Sequence, residues 1–397
     1  VAIAESLRTA LRALLEAAGG PEMRESAVIA RLPVERSLAG RLIRAVRSAD
    51  PYVMLSELPA AQSLDTAIRS AMRCGEPGLA RAAADARQPV HAYAALLKTW
   101  PGGRRGLTAL AASLNPDHRD RADLASRRAA FHHTADLLGY HVDTASATMF
   151  VLPSAVPGRC DTVHVFARYG LRRTRPSGPP ISVFALHAGS QSAGSPRPLP
   201  PAPANSANPW SFLCTEFCRG PARVELARDP AFPGRLEVRL PSDQPGIHRP
   251  VTIVSAQALP AAYRRFRTPT LGYEWMEAVP RLPARAAVVE AIVHADLFPD
   301  WSPLVTGRLF TSSNPTPPPR AGSGQIPDEV RLGARVEWLS SPASELSGGP
   351  GHADLVRSVA DRIGLDLSRC RALRATVPFP LLMASVLVWF PLPAAPD

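Results

Sequence analysis

The spacing of apolar residues changes once along the chain, near Gly139, and this change bounds the folds open to it. Up to Leu138 the hydrophobic residues recur three or four apart, the repeat of an amphipathic helix. Beyond Tyr140, segments such as 147–152, 162–169 and 181–186 alternate or are rich in β-branched residues, as strands are. An α+β multidomain chain follows, with an N-terminal all-α part and a C-terminal β-rich α+β region. The 397 residues suffice for two or three domains. The pattern predicts a first domain over 1–50, a helical linker or dimerisation region over 51–146 and a β-rich region over 147–397.

The first fifty residues carry the most specific signal. Leu7, Leu11, Leu14 and Leu15 form one stripe, and Gly19-Gly20 stops that helix. A short helix over 25–31 follows. Leu32, Pro33 and Val34 make a turn, and a second helix runs over about 35–48. Leu38, Leu42 and Ala45 recur at helical spacing, and Ala39, Ile43 and Val46 widen the same face. Arg36, Ser37, Gly40, Arg41, Arg44 and Arg47 fall elsewhere on the surface. A helix with one apolar and one Arg-rich face suits docking in a DNA major groove, where arginine contacts phosphate or pairs bidentately with guanine.

The run from Ala30 to Leu42, A-R-L-x-V-x-x-S-L-A-x-R-L, resembles the helix-turn-helix domains of bacterial transcriptional regulators. The resemblance covers little more than roughly a tenth of the chain. It implies a three-helix DNA-reading head used as a dimer. Arg36, Ser37, Gly40 and Arg41 would approach bases, and Arg31, Arg44 and Arg47 would hold phosphates. Double-stranded DNA would be the partner, with a small-molecule or protein effector at the β-rich region. The chain departs from the pattern in the turn, where Pro33 stands in the place usual for glycine. Proline fixes φ near −65°, so either the turn is built differently or the second helix starts at Pro33. No winged hairpin is evident after it. Asp50-Pro51 ends the helix, and 52–55 is the only strand candidate nearby.

Charge points the same way. The net charge is +11, which favours polyanionic partners. Between Arg31 and Ser48 five arginines face one acid, Glu35. The bases are almost all arginine, Lys98 being the one lysine, so part of the surplus reflects a high-GC coding bias. Five scattered cysteines do not make a disulfide framework. No signal peptide is evident, and the longest apolar run, 381–392, is too short to span a bilayer, so the chain reads as soluble and cytoplasmic. It begins with Val1 in a segment of helical character, which fits an alternative start codon or a truncated N-terminus.

From 64 to 114 four helical stretches follow one another, at 64–72, 78–86, 90–97 and 106–114. Asn115-Pro116-Asp117 opens another that Gly139 ends. In the β-rich region strands are predicted at 222–227, 235–240, 251–254, 286–295, 305–310, 330–339, 371–377 and 383–390. Helices are predicted at 257–267 and 353–363. Two strand-rich portions with one helix each suggest a duplicated α+β unit, although no repeat is visible. Pro/Ser-rich loops occupy 188–209 and 312–324.

Catalytic motifs are missing: there is no G-x-S-x-G, P-loop, H-E-x-x-H or G-x-G-x-x-G before a helix. No catalytic residue, cofactor or metal is assigned. Cys214-x-x-x-Cys218 could face one metal but lacks a second pair, and two core cysteines are the commoner reading. Arg172-Arg173-Thr174-Arg175 reads as a basic turn, either for an anion or solvated. Arg264, Arg265 and Arg267 read as a helix-end cluster. His132-His133 ends a helix with its two rings on different faces. A DNA-binding regulator leads. A scaffold protein with structural N-terminal helices, and an enzyme within 147–397, are the alternatives.

Overall fold

A computed structural model of the chain describes residues 2–32, 34–114, 116–176, 178–187, 197–200, 212–220, 223–229, 232–243, 249–302, 304–309, 331–339 and 349–395. Helices gather in the N-terminal part and strands in the C-terminal part, an α+β multidomain chain. It divides into two compact units, Val1–Ala125 and Ser126–Asp397. Among the described residues no helix is long and apolar enough to cross a membrane. The loop at 312–324 and most of that at 188–209 lie outside the described residues.

In the first unit, helix α1 (Ala2–Gly19) buries Leu7, Leu11, Leu14 and Leu15 on one face. At its end a Cβ on Gly19 would lie 2.6 Å from Cγ2 of Val28. Only glycine lets the next helix, α2 (Glu25–Arg31), come this close. Helix α3 (Arg36–Arg47) buries Ala39, Leu42, Ile43, Ala45 and Val46. Its first turn starts at Arg36; Pro33 itself lies outside the described residues.

Residues 52–55, the strand candidate, are helical in α4 (Pro51–Glu57). The reason is local. Asp50 Oδ1 accepts from the backbone N–H groups of Tyr52, at 2.8 Å, and Val53, at 3.1 Å. Pro51 supplies a first-turn φ, so cap and proline together override the β-propensity of Tyr-Val. Helices α5 (Ala61–Arg73), α6 (Pro77–Thr99) and α7 (Gly103–Leu114) complete the unit. The two stretches at 78–86 and 90–97 are one continuous helix, α6, with Pro89 inside it. A single buried apolar cluster joins Ala4 to Leu107.

Helix α8 (Pro116–Leu138) ends at Gly139, whose φ is +75°. The second unit is built on one six-stranded sheet. Its strands are β1 (Tyr140–Pro153), β2 (Arg159–Arg173), β6 (Val251–Arg264), β8 (Ala284–His294), β10 (Arg335–Leu339) and β11 (Cys370–Pro378), in the order β10-β11-β8-β1-β2-β6. Only the β1–β8 pairing is parallel. The predicted helix at 257–267 is overturned: β6 continues to Arg264, and Val163↔Ala258 and Cys160↔Tyr263 pair it with β2. Tertiary pairing overrides the helical character of Gln-Ala-Leu. The duplicated-unit reading loses with it one of its two helices. Both halves feed one sheet, and β8 takes the distant β11 as its antiparallel neighbour where β1 takes the adjacent β2.

One face of this sheet is covered by helix α9 (His352–Arg362), through Leu355, Val356, Val359 and Ala360. The other face meets a sheet of β7 (Tyr273–Ala278), β12 (Ala384–Pro391) and β9 (Val305–Leu309). It also meets a sheet of β3 (Ile181–His187), β5 (Phe232–Leu240) and β4 (Glu225–Asp229).

Under α9 the strand registers place Thr148, Glu290, Arg374 and Glu337 in one row across four strands. Glu290 is fully buried. It accepts from Arg374 Nε at 2.7 Å and Thr148 Oγ1 at 3.0 Å, and His352 Nε2 lies 2.6 Å away. Tyr169 Oη reaches His352 Nδ1 at 3.0 Å. A Cβ on Gly349, at φ +140°, would strike the Tyr169 ring at 2.5 Å, so glycine lets the chain enter α9 over that ring.

Desolvation alone would raise the Glu290 carboxyl. The hydrogen bond and charge of His352, with Arg374, outweigh it and hold the group below the usual carboxylate range. Replacing Glu290 by Gln leaves the buried Arg374 with only Glu337, at 3.7 Å, and is expected to cost about 3–5 kcal/mol in urea unfolding at pH 7. The folded carboxyl titrates below the unfolded one. Its contribution is therefore complete above about pH 4.3 and is lost as pH falls through the lower folded value. The gap between wild type and Glu290→Gln is expected to narrow in acid, and a gap that widens would contradict this.

Candidate nucleic-acid interface

The candidate interface is the outer side of α3. Its inner side carries three large aliphatic residues, Leu42, Ile43 and Val46, each worth about 1.5–3 kcal/mol when buried. Leu38 packs half-buried beside them. That orientation leaves Arg36, Ser37, Arg44 and Arg47 exposed and Gly40 half-exposed. Residues 37, 40, 44 and 47 follow one another at three- and four-residue steps, one face of a helix. α2 and α3 are joined by the four residues 32–35, of which Leu32 is fully buried.

Between the start of α2 and this face lies a cleft of about 620 Å³, lined by Met23, Arg24, Glu25, Gly40, Arg44 and Arg47 among others. Gly40 keeps it open. A Cβ there would sit 3.6 Å from Arg44 Nη1 and 3.7 Å from Glu25 Oε2, in ordinary contact, so the position tolerates a small side chain at the cost of part of the cleft.

The seven residues singled out in the sequence divide by what they touch. Arg36 is very exposed, at 86 %, and donates from Nε to Glu25 Oε1 at 2.9 Å. Surface pairs of this kind contribute at most about 1 kcal/mol, so Glu25 holds Arg36 only weakly. Arg47 Nη2 donates to the Glu22 carbonyl at 2.7 Å and remains exposed. Ser37 Oγ donates to Glu35 Oε2 at 3.4 Å. Arg44 lines the cleft.

Arg31 and Arg41 are bound into the fold instead. Arg31 forks onto both oxygens of Glu76 and also donates to the Ala17 carbonyl at 3.1 Å, linking the ends of α1 and α2 to the start of α6. Arg41 is half-buried, and its Nη2 donates to the carbonyls of Glu57, at 3.4 Å, and Leu58, at 3.3 Å. Arg104 donates to the Ser56 and Leu58 carbonyls. The two guanidinium groups thus satisfy the open C-terminal end of α4, where cations are favoured. Desolvation first, then Arg104 and Arg44, lower the Arg41 guanidinium.

The other constellations also take definite places. Arg172 and Arg173 end β2 and do not form a solvated turn. Arg172 Nη2 donates to Asp143 at 2.6 Å, and the buried Arg173 donates to the Pro179 and Pro241 carbonyls at 2.9 and 3.0 Å. Arg264 ends strand β6 and Arg265 follows it, so the cluster does not sit on a helix, and Arg265 is stacked over Phe266. Cys214 and Cys218 bracket a short 3-10 turn. Burial pushes the Cys214 thiol up to about 12, so it holds its proton at neutral pH. Among the described residues no three His, Cys, Asp or Glu side chains could together hold a metal ion.

Sequence reasoning passed over the polar row under α9. A lone acid inside Ala-Ala-Val-Val-Glu-Ala-Ile-Val is a legible signal, since such a residue persists in a sheet core only when paired. Its partners are 62 and 84 residues away in the chain.

Arg41→Ala is expected to lower unfolding free energy by about 1–2 kcal/mol, because it strips carbonyl partners in a half-buried site. Arg44→Ala is expected to change it by less than about 0.5 kcal/mol. Equal losses in denaturant titrations would contradict this division of roles. No family model matches the chain, and no curated protein matches it.

Proposed function

We propose that this chain is a cytoplasmic transcriptional regulator that binds double-stranded DNA with the exposed face of α3 in the major groove. It works as a homodimer, because one head reads few base pairs. Its β-rich unit takes an effector. The observation that carries the reading is the split of α3 into a buried aliphatic face and an outward face bearing Arg36, Ser37, Gly40, Arg44 and Arg47. The short connection from α2 supports it. Arg36, Arg44 and Arg47 supply charge for phosphates, while Ser37 and Gly40 permit close approach to base edges. Arg31 and Arg41 hold the head together and act on DNA only through that.

The enzyme alternative gains little from the acid–base groups of the second unit. Glu290, His352 and Tyr169 are all buried.

The test is binding of the full chain to duplex DNA from upstream of its own gene, beside a random duplex, over a salt series. Arg44→Ala/Arg47→Ala is expected to weaken binding to both duplexes and to flatten the salt slope by about two units, one for each lost phosphate contact. Unchanged affinity and slope in a folded double variant would overturn the proposal.

A further inference from the structure

The second unit buries a guanidinium without a counter-charge. Arg168 on β2 is 7 % exposed. Its Nη1 donates to two carbonyl oxygens, Ala167 at 3.1 Å and Ser146 at 3.4 Å. Its Cζ lies 5.1 Å from the centre of the Phe184 ring, and its Nε is buried with no partner. No carboxylate among the described residues pairs with it. Arg374, equally buried in the same sheet, shows the ordinary solution, with Glu290 at 2.7 Å. Burial without such a partner draws the Arg168 guanidinium down to about 10, still charged at neutral pH. A buried charge costs several kcal/mol unless something neutralises it.

Beside Arg168 the sheet leaves room. The registers place Arg168, Ala145 and Ala287 in one row across β2, β1 and β8, and Phe166, Ala147 and Val289 in another. Three alanines where a sheet core would ordinarily carry larger residues leave a cavity of about 40 Å³. Pro280 and Val386 close it on the far side, and Arg168 is the only charged residue lining it. The cavity volume exceeds the about 10–15 Å³ needed to hold a single water. An apolar pocket with one convergent charged group is the usual form of a small-ligand site.

We infer that this cavity binds a small monocarboxylate, of the size of acetate or propionate, with its carboxylate on Arg168 and its methyl or ethyl group against Ala145, Ala147 and Ala287. A guanidinium takes a carboxylate bidentately, and the alanine walls take the alkyl end. The cavity volume sets the upper limit on chain length. The inference stands apart from DNA binding, and its test contains no DNA.

The experiment titrates ¹³C-labelled acetate into the full chain, in buffer free of other carboxylates, and follows the acetate linewidth. Saturable broadening is expected, displaced by propionate and not by hexanoate, and absent for the neutral isostere acetamide. Arg168→Met is expected to weaken binding by about tenfold or more. Ala147→Val fills the cavity, leaves the guanidinium in place and is expected to do the same. If Arg168→Met does not fold, Ala147→Val and the acetamide comparison decide the matter. No saturable broadening, binding unaffected by the variants that fold, or displacement by chloride as readily as by propionate would overturn the inference.

Discussion

The outward arginines of α3 are held in place by the burial of its opposite face. Leu42, Ile43 and Val46 can leave water together in only one rotation of the helix, against α1, α2 and α4. The alternative rotation would bury guanidinium groups without partners, at several kcal/mol each. Hydrophobic burial therefore decides which residues meet a ligand. Arg41 is drawn inward by the carbonyls at the end of α4, whereas Arg31 stays exposed and is engaged by Glu76. The outer face of α3 itself keeps Arg36, Arg44 and Arg47, with Ser37 and Gly40 between them. Glu22 and Glu25 lie beside this set and temper its charge, so the salt dependence of binding carries more information than affinity alone.

The second unit handles charge in two ways. In the row under α9, Glu290 faces Arg374 and His352, and the helix is tied to the sheet through its first residue. On the opposite face Arg168 has only carbonyls and a ring. In the first arrangement a carboxylate balances the buried guanidinium, although Arg374 Nη2 itself has no hydrogen-bond partner. The second is complete only with an anion from outside the chain. Of the buried guanidinium groups of this sheet, Arg374 is neutralised by Glu290, Arg173 meets the Pro179 and Pro241 carbonyls, and Arg168 lies beside a cavity.

Much of the framework was legible in the residues, and the reasons for the rest are physical. Helix α2 coincides with the predicted 25–31, and α3 falls within the predicted 35–48, because local spacing and a short connection specify both. The change to strands at Tyr140 was legible through Gly139, whose φ of +75° suits glycine. Residues 52–55 looked like a strand because their propensity was weighed ahead of Asp50-Pro51, a helix start of the same kind as Asn115-Pro116. Residues 257–267 looked helical because pairing with β2, about a hundred residues earlier in the chain, cannot be read locally. The same holds within the candidate interface. Which arginines point outward was partly legible from periodicity. That Arg41 meets the Glu57 and Leu58 carbonyls and Arg31 meets Glu76 was not, since those partners lie 16 to 45 residues away.

Hydrogen–deuterium exchange of the full chain, with and without saturating duplex DNA from its own upstream region, tests the central claim most directly. If α3 lies in the major groove, peptides covering 35–48 exchange more slowly in the complex, while those covering β8 and α9 do not change. Exchange across 35–48 that is unaltered by bound DNA, or protection confined to the second unit, would contradict the account.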